Sequence, residues 1–189
     1  MTNREIQQQR DREIIKFIEQ FKVASTDTIA ELFFPSLRMA QRRLSRLVDY
    51  GVLKREREHF TFQYVYYIEK TKQMQHRLIL TEFYRQIKRL GIEVVKFENE
   101  FTFFEGIRPD GFIAYSIGEK NYIAFIETEL SNKPNITKYE ELYKSEEWKK
   151  VLPIFPAIIW VTDNNIPKTE LSIFHIKRDF SNIGILCKY

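Results

Sequence analysis

The sequence carries a single cysteine, Cys187, in 189 residues. One thiol excludes an internal disulfide framework and suits a reducing compartment, so a cytoplasmic protein is expected. It also excludes a cysteine-rich zinc site. The three histidines, His59, His76 and His175, fall in unrelated segments and offer neither zinc-ligand spacing nor a Ser/His/Asp arrangement. A glycine-rich phosphate loop is missing, which argues against nucleotide hydrolysis. No apolar run approaches the ~20 residues that a membrane span needs. The opening residues, Met-Thr-Asn-Arg-Glu-Ile-Gln-Gln-Gln-Arg, lack the apolar stretch of a secretory signal, so none is expected.

What is present is a soluble, aromatic-rich composition. Hydrophobic residues make up 43% and charged residues 30%, which suits a globular fold. The 16 Phe and 10 Tyr must supply much of the core. The length suits one or two small domains. The net charge of +4 is modest, but it is unevenly spread. Between Ser36 and Arg57 stand Arg38, Arg42, Arg43, Arg46, Lys54, Arg55 and Arg57 against only Asp49 and Glu56. A basic patch within one short module is the footprint of phosphate contact.

Apolar periodicity divides the N-terminal part into three helices and a hairpin. Ile14, Ile15, Phe17, Ile18 and Phe21 repeat at helical spacing over residues 11–22. Ser25-Thr26-Asp27 caps a short second helix that carries Ile29, Leu32 and Phe33. Pro35 breaks it. Ser36 caps a third helix to about Tyr50, with the stripe Leu37, Ala40, Leu44, Leu47, Val48, and Gly51 ends it. Alternating segments at 52–58 and 61–68 pair as a hairpin with its turn near His59. Three helices followed by a hairpin predict a winged helix-turn-helix, whose third helix enters the major groove while the wing touches the backbone. The expected contacts to double-stranded DNA are Ser36, Arg38, Arg42, Arg43 and Arg46, with Lys54, Arg55 and Arg57 on the wing side. A solvated basic face and a protein-contact role are the alternatives.

The C-terminal part reads as helix, three strands, helix, strand. A helix from His76 to Leu90 ends at Gly91. Strands follow at 93–97, 110–115 and 122–130, with an additional extended segment at 101–105. A helix runs from Lys133 to about Lys150 with Ile136, Tyr139, Leu142 and Tyr143 on one face. The continuous apolar run 157–161 fits a strand buried on both faces. A short helix from Lys168 and a last strand at 183–187 complete the chain. The expected class is α+β, with residues 1–70 forming the winged helix-turn-helix and 71–189 an αβββαβ domain.

Pro109-Asp110 opens one strand and Glu127-Thr128-Glu129 closes the next. That order and those residues resemble the PD-(D/E)xK restriction-endonuclease-like fold. The resemblance implies that Asp110, Glu127 and Glu129 hold Mg²⁺ or Mn²⁺ as the metal-binding acids. The nuclease lysine, however, is Glu129 here, so Lys138 on the following helix is the candidate replacement among the catalytic positions. Tyr139 and Tyr143 either flank a phosphate or pack in the core.

The full layout is similar to the replication-relaxation family of plasmids and other mobile elements, which pairs a winged helix with a nuclease-like half. The likeness is carried by Arg42-Arg43-Leu44-Ser45-Arg46-Leu47-Val48-Asp49-Tyr50-Gly51-Val52-Leu53, Tyr66-Tyr67-Ile68, His76-Arg77-Leu78-Ile79-Leu80, Arg108-Pro109-Asp110-Gly111, Phe125-Ile126-Glu127-Thr128-Glu129, Lys138-Tyr139-Glu140-Glu141-Leu142-Tyr143 and Phe155-Pro156-Ala157-Ile158-Ile159-Trp160-Val161-Thr162. It implies a DNA-binding accessory protein that needs no cofactor, acts with replication or relaxation proteins, forms a homodimer and has a degenerate nuclease-like half. A metal-dependent endonuclease and a winged-helix transcriptional regulator are the competing readings.

Overall fold

The computed structural model describes residues 2–58, 61–100, 102, 106–130 and 134–188. The chain is mixed α+β and divides into two compact units, Met1–Arg85 and Gln86–Tyr189. Among the described residues no helix is long and apolar enough to cross a membrane.

The first unit begins with α1 (Asn3–Phe21), opened by a reciprocal cap between Thr2 and Glu5. It closes at Lys22, whose φ of 70° turns the chain left-handed. A two-residue strand, β1 (Ala24–Ser25), leads into α2 (Thr26–Phe33), where Ser25 Oγ accepts from Thr28 N at 3.1 Å. Helix α3 (Leu37–Asp49) follows, with Gly51 just beyond it at φ 71°. Strands β2 (Lys54–Arg57) and β3 (Tyr64–Tyr67) form the hairpin, and β1 adds to its other edge in the order β1-β3-β2, all antiparallel. The expected turn near His59 lies outside the described residues.

The core of this unit is built by the periodic stripes. Ile14, Ile18 and Phe21 of α1, Ile29 of α2, and Ala40, Leu44 and Leu47 of α3 are all buried. Leu37 departs from the expected stripe and is 46% exposed. It is the first residue of α3, so its place on the right face does not bring it under the neighbouring elements. Helix α4 (Met74–Arg89) also contributes here, since Tyr84 packs on Phe17 and Phe21.

The second unit is a five-stranded sheet in sequential order: β4 (Glu93–Asn99), β5 (Gly111–Ile117), β6 (Lys120–Thr128), β7 (Ala157–Val161) and β8 (Ile173–Ile176). The first three are an antiparallel meander, and β6, β7 and β8 run parallel. Helix α5 (Thr137–Ser145) lies on the crossover from β6 to β7. It covers one face of the sheet through Tyr139 and Leu142, packed with Phe112, Phe125, Ile158 and Trp160. On the opposite face Ala124, Ile126, Ile159 and Val161 are also fully buried, so the apolar run of β7 is covered on both sides as expected.

Three sequence expectations fail in this unit. The helix placed from Lys133 starts later, at Thr137, and gives way after Ser145 to a 3-10 turn over Glu147–Lys150. No helix forms from Lys168. The last strand is Ile173–Ile176, where the buried Phe174 and Ile176 alternate with half-buried neighbours. Residues Ile183–Cys187 form a 3-10 turn instead, because its buried residues, Ile183 and Leu186, are three apart, the period of that turn rather than of a strand. The strand expected at 101–105 lies largely outside the described residues.

Candidate functional site

The basic residues expected to contact DNA separate into three groups. Arg38, Arg42 and Arg46 are exposed on α3, and Lys54, Arg55 and Arg57 are exposed on β2. Arg43 is different. Its guanidinium forms a fork on Asp11 of α1, with Nε donating to Oδ1 at 2.8 Å and Nη2 donating to Oδ2. The arginine spacing that suggested one basic face therefore contains one member turned into the helix pair. Ser36 caps α3, its Oγ accepting from Met39 N at 3.4 Å.

The hairpin adds a residue that periodicity alone did not single out. Tyr64 stands opposite Arg57 in the β2–β3 register. The guanidinium carbons of Arg55 and Arg57 lie 4.5 and 5.2 Å from its ring centroid. Their bond and charge hold the phenol below its ordinary range, the Arg57 hydrogen bond contributing most. Two cations lie over one ring, and stacking restricts both side chains. The signal that finds Tyr64 is cross-strand register, once the hairpin is aligned.

In the second unit Asp110 and Glu127 meet at the end of β5 and β6. Gly111 pairs with Ile126, which sets Asp110 opposite Glu127. The Asp110 carboxylate turns across the strand: Oδ2 accepts from Thr128 N at 2.7 Å and from Thr128 Oγ1 at 2.8 Å. This capture takes the Thr128 amide away from the main-chain ladder and coincides with the end of β6. Glu129 therefore lies past the strand rather than on it, against expectation. Its backbone N–H donates to Val161 O at 3.0 Å.

Glu127 shares its face with Phe125, beneath α5. Its Oε1 accepts from Lys138 Nζ at 2.5 Å and from the Tyr139 hydroxyl. Glu127 is only 5% exposed. Burial pushes its carboxyl pKa above the usual carboxylate range, against the pull of Lys138 and Tyr139, and Asp110 adds to the rise. The Tyr139 phenol is pushed up as well, by burial first and then by the neighbouring Glu127. Lys138 thus sets a cation beside this buried acid. Arg108 goes elsewhere, to Glu100 at 3.2 Å. Tyr139 is core and a donor to Glu127, while Tyr143 is 47% exposed with its ring stacked on Trp148. Trp160, level with Glu127 on β7, keeps its indole N–H buried without a hydrogen-bond partner among the described residues.

The sequence expectation joined Asp110, Glu127 and Glu129 around one divalent cation. Among the described residues no group of three or more His, Cys, Asp or Glu is arranged to hold a metal ion. One oxygen of Glu127 already takes two donors, and one oxygen of Asp110 takes two more. Hard cations want several converging oxygens, and here Glu127 Oε1 and Asp110 Oδ2 are engaged in internal hydrogen bonds. What the arrangement does chemically is set the half-buried ammonium of Lys138 against the buried carboxylate of Glu127 and tie β5, β6 and α5 at one end of the sheet.

The chain finds no match among protein-family models, curated proteins or solved structures.

Proposed function

We propose that this protein is a duplex-DNA-binding accessory protein of the replication-relaxation type that serves plasmids and other mobile elements. Its first unit acts as a winged helix-turn-helix, with α3 in the major groove and the β2–β3 hairpin as the wing. The observation that carries this reading is the uncompensated charge of α3. Among the described residues Arg38, Arg42 and Arg46 are exposed without an acidic partner, on the helix immediately preceding a hairpin that displays Lys54, Arg55 and Arg57. A merely solvated helix face usually intersperses both signs.

The second unit is read as a restriction-endonuclease-like half that does not cleave efficiently. Support comes from the chain order α4-β4-β5-β6-α5-β7, in which α4 up to Arg85 belongs to the first unit, and from Asp110 and Glu127 at one strand end. Against efficient cleavage stand Glu129 in place of the strand lysine and the internal hydrogen bonds of both acids. One observation favours the alternative, a metal-dependent endonuclease: Lys138 reaches Glu127 from α5, where a nuclease lysine would act.

Two measurements test this. Duplex binding followed against salt should give a log–log slope near −0.9 for each phosphate neutralised. Sequencing DNA that crosslinks to the protein then gives the target. Plasmid incubated with Mg²⁺ or Mn²⁺ should stay supercoiled. Robust nicking that disappears in Asp110→Ala establishes the endonuclease instead.

A further inference from the structure

The first helix borders the arginines of α3 with an arginine of its own. A groove of about 360 Å³ runs between the two helices. Arg42 and Arg46 line one side and Arg10, on α1, lines the other. Its floor is apolar, from Ile6, Phe34 and Met39. The Arg10 guanidinium carbon sits 4.9 Å over the Phe34 ring, at the start of the turn into α3. Stacking fixes the group in place but occupies its face, not its edge, so the N–H donors stay available. Arg43 also lines the groove, but Asp11 already neutralises it. Among the described residues Arg10, Arg42 and Arg46 have no carboxylate partner, so three positive charges converge on one channel.

We propose that this groove seats a sugar–phosphate strand of the DNA, with Arg10 as a phosphate contact supplied from outside the recognition helix. The inference rests on the DNA-binding reading and deepens it. A nucleic-acid backbone offers both things the groove is built for. Its phosphate oxygens suit the planar arginine forks, and its deoxyribose carbons suit an apolar floor. Arg42 and Arg46 are one turn apart, about 6 Å along the helix, so they meet the strand at two points while Arg10 closes on it from across the channel. Phosphate contacts of this kind fix register and orientation without reading sequence.

The test is duplex affinity measured over a range of salt for the wild type, Arg10→Gln, Arg42→Gln and Lys16→Gln, all checked for unchanged melting. Lys16 is exposed on the same helix outside the groove and controls for the loss of one charge. Arg10→Gln should weaken binding and flatten the log–log salt slope by about 0.9, the loss of one phosphate contact. Lys16→Gln should leave the slope unchanged. The inference is overturned if Arg10→Gln binds like the wild type while Arg42→Gln is impaired, or if Lys16→Gln is as damaging as Arg10→Gln. It is also overturned if a deoxynucleoside monophosphate binds in an Arg10-dependent way while duplex affinity is untouched, which assigns the groove to a small anion. A wild type with no salt-dependent duplex binding removes the DNA reading itself, and the inference with it.

Discussion

Arg43 of α3 and Asp11 of α1 form a two-pronged ion pair, with side chains only 18% and 13% exposed. Fork geometry and partial burial raise such a pair above the ordinary surface ion pair. The pair therefore joins two helices and does not present a charge to a partner. Arg43→Ala should lower stability by about 1.5–3 kcal/mol, the range for hydrogen bonds to charged groups. Arg42→Ala should leave stability within about 0.5 kcal/mol yet weaken DNA binding. Chemical denaturation and duplex titration of the two variants separate these effects. Equal loss of affinity with no loss of stability in Arg43→Ala contradicts the assignment.

Leu44 is completely buried at the centre of the α3 stripe. Truncation to Ala removes apolar contacts and leaves a cavity, at a cost of about 2–5 kcal/mol. A small unit has little more than that in reserve. Thermal melting should show a large drop for Leu44→Ala. The corresponding change at Leu37, which is 46% exposed, should be close to silent.

Glu127 makes the second unit sensitive to pH. Burial raises its folded-state pKa above the unfolded value, so the folded chain holds this proton more tightly. Its contribution to stability is then full below the ordinary carboxylate value of about 4.3. That contribution is lost as pH rises through the raised folded pKa. The stability of wild type minus that of Glu127→Gln should decline with rising pH across that window. A difference that is flat, or that grows with pH, contradicts a raised pKa.

Asp110 holds the Thr128 amide and hydroxyl, and Thr128 is 1% exposed. Asp110→Ala strands a buried N–H and should cost about 1–3 kcal/mol. Asp110→Asn keeps an acceptor and should recover part of this. The loss should be the same with or without added Mg²⁺ when followed by denaturant melts. A loss that appears only with the metal present identifies Asp110 as a ligand instead.

The sequence by itself determined the secondary elements whose signals are local. Ser25 and Ser36 announce helix starts because their hydroxyls cap amides three residues on, and Gly51 marks a helix end because φ there is positive. The 3.6-residue repeat of Ala40, Leu44 and Leu47 fixed which face of α3 is buried, and the unbroken run Ile158-Ile159-Trp160-Val161 fixed a strand covered on both sides. Spacing also placed Asp110 and Glu127 at neighbouring strand ends. It did not reveal where their oxygens point. That Asp110 turns to Thr128, that Glu127 is shared by Lys138 and Tyr139, and that Arg43 is spent on Asp11 depend on partners 18, 11, 12 and 32 residues away. Such partners are chosen by which elements lie side by side, and that follows from packing the whole core. The same holds for Arg10. On α1 it reads as one more charge on a solvated helix, and only the approach of α3 and Phe34 makes it one wall of a groove.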